Sequence, residues 1–338
     1  MTDTLNGSTE KVASIQVTPP STTPTSAGDL VGKTAIVTGS NSGIGLECAR
    51  QFLDRGLSKL ILAVRDEGKG AIAREDLAAG RTLTPDAIEV WHLDHSSYDS
   101  ITSFANRAQG LNNLDIAVLN AGVYRIPHVV ISTGHEEDIQ VNYISTALLT
   151  ILLLPILEAR RRSEDSPGRL TIVSSSVAAQ SRFKPQDGRP LLTSLDEPMG
   201  FNHNQQYCTS KLLGQLFLTE LTRRVPPSVA IVNCVNPGLC YGSGLARDGV
   251  GTLLGFIVRF VFRIFGRSCV SGARSLVDAV VNHGEEVHGQ YLDGGSPTQM
   301  APVVYTADGG RMAQSLWKET MSELSFAAVE DMVEALSV

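Results

Sequence analysis

Tyr207 and Lys211 lie four residues apart in Tyr207-Cys208-Thr209-Ser210-Lys211, which runs into the helical pattern Leu212-Leu213-Gly214-Gln215-Leu216-Phe217. Side chains four apart share one helix face. A free phenol, with a pKa of about 10, exchanges protons poorly near neutrality. A lysine cation about 5 Å away, at an effective dielectric near 20, stabilises the phenolate by about 3 kcal/mol, or roughly two pKa units. On that arithmetic the two residues form an acid–base pair; the same spacing also occurs on ordinary solvated helices. Upstream, Ser174-Ser175-Ser176 closes the apolar run that starts at Arg169. Three hydroxyls at a strand end, where a cleft opens in an α/β sheet, suit the holding of a polarised oxygen.

Chemistry of this kind needs a second reactant alongside, and the chain offers an anchor for one. The apolar run Ala35-Ile36-Val37 leads into Thr38-Gly39-Ser40-Asn41-Ser42-Gly43-Ile44-Gly45 and then a helical pattern from Leu46 to Leu53. Strand, glycine-rich turn and helix in that order let a backbone approach a pyrophosphate, and the first helical turn attracts the anion. Gly39, Ser40, Ser42, Gly43 and Ile44 are therefore candidate nucleotide contacts. Roughly twenty residues on, where an acid ordinarily holds a ribose 2′-hydroxyl, the second apolar run ends in Val64-Arg65. A guanidinium there suits a 2′-phosphate and favours NADP(H) over NAD(H), unless Arg65 simply pairs with Asp66 or Glu67. Asp94 follows the third run, placed either to bond an adenine edge or to cap a helix. The small residues Asn120-Ala121-Gly122 let a backbone pass close beneath a cofactor. Asn142 sits early in a long apolar helix, where a buried amide needs a polar partner and serves either structure or a water chain.

The elements that position these residues alternate regularly. Strand-like runs at 33–37, 60–64, 88–93, 115–119, 169–174, 230–235 and 290–292 are separated mostly by amphipathic stretches. Runs apolar on both faces predict a parallel sheet covered on both sides, the α/β doubly wound, Rossmann-type single domain. With 338 residues, 42% of them hydrophobic, the chain can bury a large core. A formal net charge of −7 argues against a nucleic-acid partner. Five cysteines without CxxC spacing read as reduced core thiols, and the histidines show no metal-ligand spacing, so no metal is expected. Residues 1–29 are rich in Thr, Ser and Pro and lack an apolar stretch of signal length, which predicts a disordered tail on a cytoplasmic protein. Residues 30–300 then form the nucleotide-binding domain and 301–338 a C-terminal helical extension carrying Leu316, Trp317, Met321 and Leu324.

Thr38-Gly39 with Gly43-Ile44-Gly45, Asn120-Ala121-Gly122, Asn142, Ser175, Tyr207 with Lys211, and Asn236-Pro237-Gly238 together resemble the classical short-chain dehydrogenase/reductase family over about residues 30–292. Ala63-Val64-Arg65-Asp66, the stretch from Tyr207 to Leu212 and Leu316-Trp317-Lys318-Glu319 are similar to its retinol-dehydrogenase-like branch, fungal biosynthetic-cluster members included. The resemblance implies that Tyr207 exchanges a proton with the substrate oxygen while Lys211 binds the nicotinamide ribose and lowers the phenol pKa. Ser175 would hold the substrate oxygen, Asn142 a relay water, and Pro237 and Gly238 the cofactor. Two departures stand out. Leu119 replaces a first Asn, and Gly242, with Ser243 beside it, stands where the family often places a cofactor-touching Thr.

Substrate information is expected in 176–206, with Arg182, Lys184, Arg189 and His203, and in 240–275, which has an apolar core at 253–265 and a stripe of Arg259, Arg263 and Arg267. That core either lids a hydrophobic pocket, contacts a membrane surface peripherally, or packs as a plain surface helix. The apolar helix after Asn142 reads as too short for a bilayer, ends at Pro155 and Arg160-Arg161-Arg162, and suits core packing or a homodimer contact. These features predict NADP(H)-dependent interconversion of a ketone or aldehyde and an alcohol on a hydrophobic small molecule. A non-redox epimerase, dehydratase or cyclase, and a nucleotide sensor without turnover, are the alternatives.

Overall fold

Thr34–Thr38 (β1), Ile116–Leu119 (β4) and Ala230–Asn236 (β6) are buried along their whole length, as strands with helices on both faces must be. With Lys59–Val64 (β2), Ile88–His92 (β3), Gly168–Val173 (β5), Tyr291–Asp293 (β9) and Ser296–Thr298 (β10) they form one eight-stranded sheet in the order β10-β9-β6-β5-β4-β1-β2-β3. All pairs are parallel except β9 with β10. Every apolar run read from the sequence is a strand of this sheet. Two short strands, Cys240–Tyr241 (β7) and Arg267–Ser268 (β8), pair separately. The computed structural model describes residues 30–160, 167–185, 188–245 and 266–337; the tail at 1–29 and the lid or membrane segment at 253–265, with Arg259 and Arg263, lie outside the described residues.

Strand order reverses between β1 and β4, so a crevice opens at their carboxyl ends. One face of the sheet is covered by Gly43–Asp54 (α1), Glu67–Ala78 (α2) and Cys269–Val281 (α8), through Phe52, Leu77 and Leu276 among others. The other carries Tyr98–Ala108 (α3), the helix pair Glu137–Ile139 (α4) and Ser145–Ala159 (α5), and, after the short Leu191–Leu195 (α6), His203–Leu221 (α7). Residues Gln140–Ile144 join α4 to α5 through a π-turn.

The C-terminal extension forms helices Ala307–Glu323 (α9) and Val329–Ala335 (α10), docked on α7 and α5 respectively. Trp317 stacks on Phe217 with centroids 5.7 Å apart, Arg224 lies 4.4 Å over its ring, and the Tyr143 hydroxyl meets Thr320 at 2.5 Å. Helix α5 itself packs against α3 and α10. The continuous helix Glu137–Ala159 has 23 residues and is long and apolar enough to cross a membrane; 89% of its most apolar window is buried inside the protein. Burial, not length, makes it a core helix. Pro155 does not end it: the helix runs four residues further, to Ala159.

One histidine fastens three of these elements. His135, just ahead of α4, places Nδ1 2.9 Å from Asp196 Oδ2 at the end of α6, and Nε2 3.3 Å from Glu323 Oε1 at the end of α9. Burial pulls the imidazole pKa down, but the hydrogen bond and charge of Asp196, with Glu323, outweigh it and leave it raised. A raised folded-state pKa stabilises the fold fully below the unfolded value of about 6.5, and the contribution is lost as pH rises through the folded value. Chemical denaturation of His135→Gln against the parent should therefore show a stability deficit that is largest below about pH 6 and shrinks as pH rises through the raised folded-state value; a deficit independent of pH would refute the charged bridge.

Candidate active site

The glycine turn leaves β1 with Gly39 at φ +64° and Gly43 at φ +60°, left-handed conformations that favour glycine. The turn is stitched to the end of β4. Asn120 Nδ2 donates to the Thr38 carbonyl at 2.9 Å, and Thr38 Oγ1 accepts from the Ala121 N–H at 2.9 Å. Space between them is minimal: a Cβ on Gly45 would lie 2.5 Å from Asn120 Nδ2 and 2.6 Å from the Gly39 carbonyl. Ser40 is buried and donates to the Val37 carbonyl at 2.8 Å, so its hydroxyl shapes the turn from within. Ser42 and Ile44 flank Gly43 at the head of α1, with Ser42 as N-cap.

Arg65 is exposed immediately after β2, one strand away from the turn. Asp66 is taken by Lys69, capping its N–H at 3.0 Å and pairing with its ammonium at 3.2 Å, so one of the two alternative partners of Arg65 is engaged elsewhere. Asp94 is not the N-cap of α3, a position held by Ser97; its Oδ1 accepts from the Ser96 N–H at 2.9 Å.

Tyr207 and Lys211 share the face of α7 that meets the ends of β4 and β5. The lysine is buried at 8% exposure, donates to the Val173 carbonyl at 3.1 Å, and stands 5.7 Å from the centroid of the Tyr207 ring. Burial brings its pKa down to about 8, against the opposing charges of Cys234 and Asp138. The tyrosine behaves contrary to the pair arithmetic. Burial first, then the charge of Asp138, push its phenol above 10 rather than two units below. In the free site the tyrosine is a protonated group.

Ser174 is buried and accepts weakly from Gln215 at 3.5 Å, and Ser176 is exposed in a 3-10 turn. Ser175, half-buried between them, caps that turn by accepting from the Val177 N–H at 3.4 Å. The turn is tied to α7 by a Ser181–Thr209 hydroxyl contact of 2.9 Å and by Gln205, which accepts from the Arg182 N–H at 2.8 Å. Asn142 lies in the π-turn. Its Oδ1 accepts from the Val123 N–H at 2.8 Å, and its Nδ2 donates to the Val123 carbonyl at 2.9 Å and to Ser210 at 3.0 Å. The amide is a clamp between three segments, and its donors and acceptor are occupied by protein groups.

Gly238, at φ +76°, follows Pro237 and packs against the Arg267 side chain, where an added Cβ would come within 3.4 Å. The loop that lacks the Thr packs against the glycine turn, since a Cβ on Gly43 would meet Ser243 Cα at 3.2 Å. Tyr124 was not foreseen. Two residues past Gly122, its ring sits edge-on to Tyr207 at 5.2 Å and to His203 at 5.8 Å, with its hydroxyl donating to Asn204 at 2.9 Å. Its position directly after Asn120-Ala121-Gly122 was the available signal. Among the described residues no cluster of metal-binding side chains occurs.

The sequence profile described as short chain dehydrogenase matches residues 33–185. Over 326 residues the chain is 46% identical to the short-chain dehydrogenase fogG of Aspergillus ruber, spanning 95% of this chain and 93% of that protein. The chain belongs to the short-chain dehydrogenase family. This dehydrogenase is also 43% identical over 324 residues to the short chain dehydrogenase/reductase mfmJ of Annulohypoxylon moriforme, spanning 95% and 91% of the two chains. A crystal structure of an uncharacterised protein from Mycobacterium paratuberculosis superposes with a TM-score of 0.65 at 25% identity, covering 90% of this chain and 98% of that one. The family makes it an oxidoreductase with a Rossmann-type fold.

The clearance at Gly45 is testable. Gly45→Ala forces Asn120 or the Gly39 carbonyl to move, at a cost of about 1–3 kcal/mol. Nucleotide affinity, followed by fluorescence titration, should fall at least tenfold while the circular dichroism spectrum stays that of the parent; undiminished affinity would show that the turn is not the binding element.

Proposed function

We propose that this dehydrogenase is an NADP(H)-dependent carbonyl reductase or alcohol dehydrogenase acting on a hydrophobic ketone, aldehyde or alcohol, in the making of a secondary metabolite. The observation that carries the reading is the convergence, at the carboxyl ends of the central strands, of the glycine turn, a protonated Tyr207, a buried cationic Lys211 and the half-buried Ser175. The residues present fit a dinucleotide. Gly39 and Gly45 let the turn close on the end of β4, where a Cβ would press on Ala121 or Asn120, and the first turn of α1 offers N–H groups to a diphosphate.

In this reading the backbone of Gly39, Ser42, Gly43 and Ile44 holds the diphosphate, and Arg65 holds the 2′-phosphate with its guanidinium. Asp94 would bind the adenine, Asn120, Ala121, Gly122, Pro237 and Gly238 would line the cofactor, and Lys211 would bind the nicotinamide ribose. A nicotinamide bound there supplies or accepts the hydride. Ser175 donates a hydrogen bond to the substrate oxygen. Tyr207 gives its proton to that oxygen in reduction and recovers it in oxidation, so the alcohol keeps a phenol proton that solvent must replace. Tyr124 and His203 supply aromatic surface beside the reacting oxygen, which favours apolar substrates. Similarity to two fungal short-chain dehydrogenases supports the biosynthetic setting.

Two measurements test this. The purified protein should oxidise NADPH when given lipophilic carbonyl compounds, and Tyr207→Phe should lower kcat by about 10²–10⁴ with nucleotide affinity retained; equal rates would end the assignment of Tyr207. Arg65→Asp should raise the KM for NADPH by about 10–100-fold, the worth of charge-assisted bonds, and narrow or reverse the preference over NADH. Unchanged preference would remove Arg65 from the cofactor site.

A further inference from the structure

Past Gly122 the chain runs as a strap, residues 123–129, along the head of α4, and its backbone is pinned there at alternate positions. Asn142 Oδ1 accepts from the Val123 N–H at 2.8 Å while its Nδ2 donates to the Val123 carbonyl at 2.9 Å, and Asp138 Oδ1 accepts from the Arg125 N–H at 3.0 Å. The Glu137 N–H donates to the Val129 carbonyl at 2.9 Å. With Val123 and Arg125 held toward α4, the side chain between them lies against the residues that lead into α7. The Tyr124 ring meets Tyr207 edge-on at 5.2 Å and His203 at 5.8 Å, and its hydroxyl donates to Asn204 at 2.9 Å. Further along, the same two segments touch again, ring to ring: His128 is edge-on to Phe201 at 4.9 Å. Ile126, between the two bridges, is 42% exposed.

The charged side chains of these segments are engaged with one another or with α4. Arg125 Nε lies 2.6 Å from Glu137, Asp196 receives His135 and the Glu136 N–H, and Arg189 pairs with Glu197 at 2.8 Å. What the strap brings to the reacting phenol is therefore aromatic rather than ionic. An edge-on pair covers the face of only one of its rings. Tyr124, His203 and Tyr207 are all half-buried, so ring surface stays open around the phenol. The pinned backbone and the Asn204 bond hold the Tyr124 ring in place before any guest arrives, which lowers the ordering cost of binding.

We infer that Tyr124 is the specificity-determining residue of the site and selects a substrate whose reacting carbon carries an aromatic ring. This deepens the proposed carbonyl reduction and rests on Tyr207 meeting the substrate oxygen. A molecule whose oxygen reaches the Tyr207 hydroxyl carries its nearest substituent alongside these rings. Ring-to-ring contact there adds affinity beyond the apolar area buried. A saturated ring of the same skeleton buries similar area without that gain, so Tyr124 separates the two where hydrophobicity alone does not.

The experiment compares acetophenone with cyclohexyl methyl ketone, which share a skeleton and differ in aromaticity. Each is titrated by saturation-transfer NMR against the protein with NADP⁺ present, where no hydride is available and binding is read without turnover. The parent should bind acetophenone roughly three- to tenfold more tightly. Tyr124→Leu should abolish the preference by weakening acetophenone, with the saturated ketone changed by less than about twofold, and Tyr124→Phe should keep it. Tyr124→Met gives the same reading as leucine should that variant fail to fold. Equal affinities in the parent, a preference that survives loss of the ring, or no binding of either ketone overturns the inference. Discrimination in binding with no oxidation of NADPH, once that is supplied, would uphold Tyr124 and end the redox reading. Oxidation of NADPH by both ketones without discrimination would do the reverse.

Discussion

Burying a lysine ammonium at the edge of the sheet is the constraint on which the rest of the site depends. An isolated buried cation is so costly that the group sheds its proton unless oxygen atoms and charges compensate. Lys211 meets the Val173 carbonyl at 3.1 Å, and Asp138 lies within electrostatic reach. Val173 ends β5, held between β4 and β6, so the carbonyl is fixed by the sheet. The clearance around the amine fixes its neighbours in turn. A Cβ on Gly122 would come within 3.1 Å of Asn142 Oδ1 and 3.7 Å of Lys211 Nζ. Gly122 is small for the sake of the lysine and the clamp as much as for any cofactor passing beneath.

The same helix that carries the lysine ties the site to the far end of the chain. Gln215, one turn beyond Lys211, accepts from the Ala301 N–H at 2.8 Å and reaches Ser174 at 3.5 Å. Ser174 is therefore used within the core, where the C-terminal extension begins, and only Ser175 is left half-buried at the strand end. Phe217, further along α7, receives Trp317. Each link is short-range packing or a single hydrogen bond, yet together they fix the rotation of α7, which decides where Tyr207 and Lys211 point. The extension thus contributes to the site without touching it.

The strands were legible because burial on both faces leaves a continuous apolar run, and the glycine turn because its residues answer to backbone clearance that few other sequences satisfy. Tyr207 and Lys211 were singled out by type and spacing, and Ser175 and the role of Asn142 only through the family resemblance. The electrostatics were not legible. Pairing Tyr207 with Lys211 alone gives a depressed phenol pKa, whereas the folded chain adds burial and Asp138 and reverses the sign. Nothing in His135-Glu136-Glu137-Asp138 marks its last member as buried, since acids at a helix start ordinarily face solvent. The apolar helix was misjudged in length for a related reason: the polar stretch from Glu137 to Asn142 continues it, and that stretch is buried too.

A phenol held protonated in the free site bears on which half-reaction the resting protein is prepared for. In the proposed reaction, reduction needs a proton donor at the moment the substrate oxygen gains charge, and a protonated Tyr207 would be one. Oxidation needs the same group as a base, which requires the proton to leave first, against burial and against the charge of Asp138. The equilibrium between carbonyl and alcohol is untouched by this, because a catalyst stabilises the transition state shared by both directions. What the arrangement alters is the fraction of molecules in the form each direction uses, and hence its dependence on pH. In the proposed reaction the donor form is populated at and above neutrality, and the base form is reached only against the burial of the phenol.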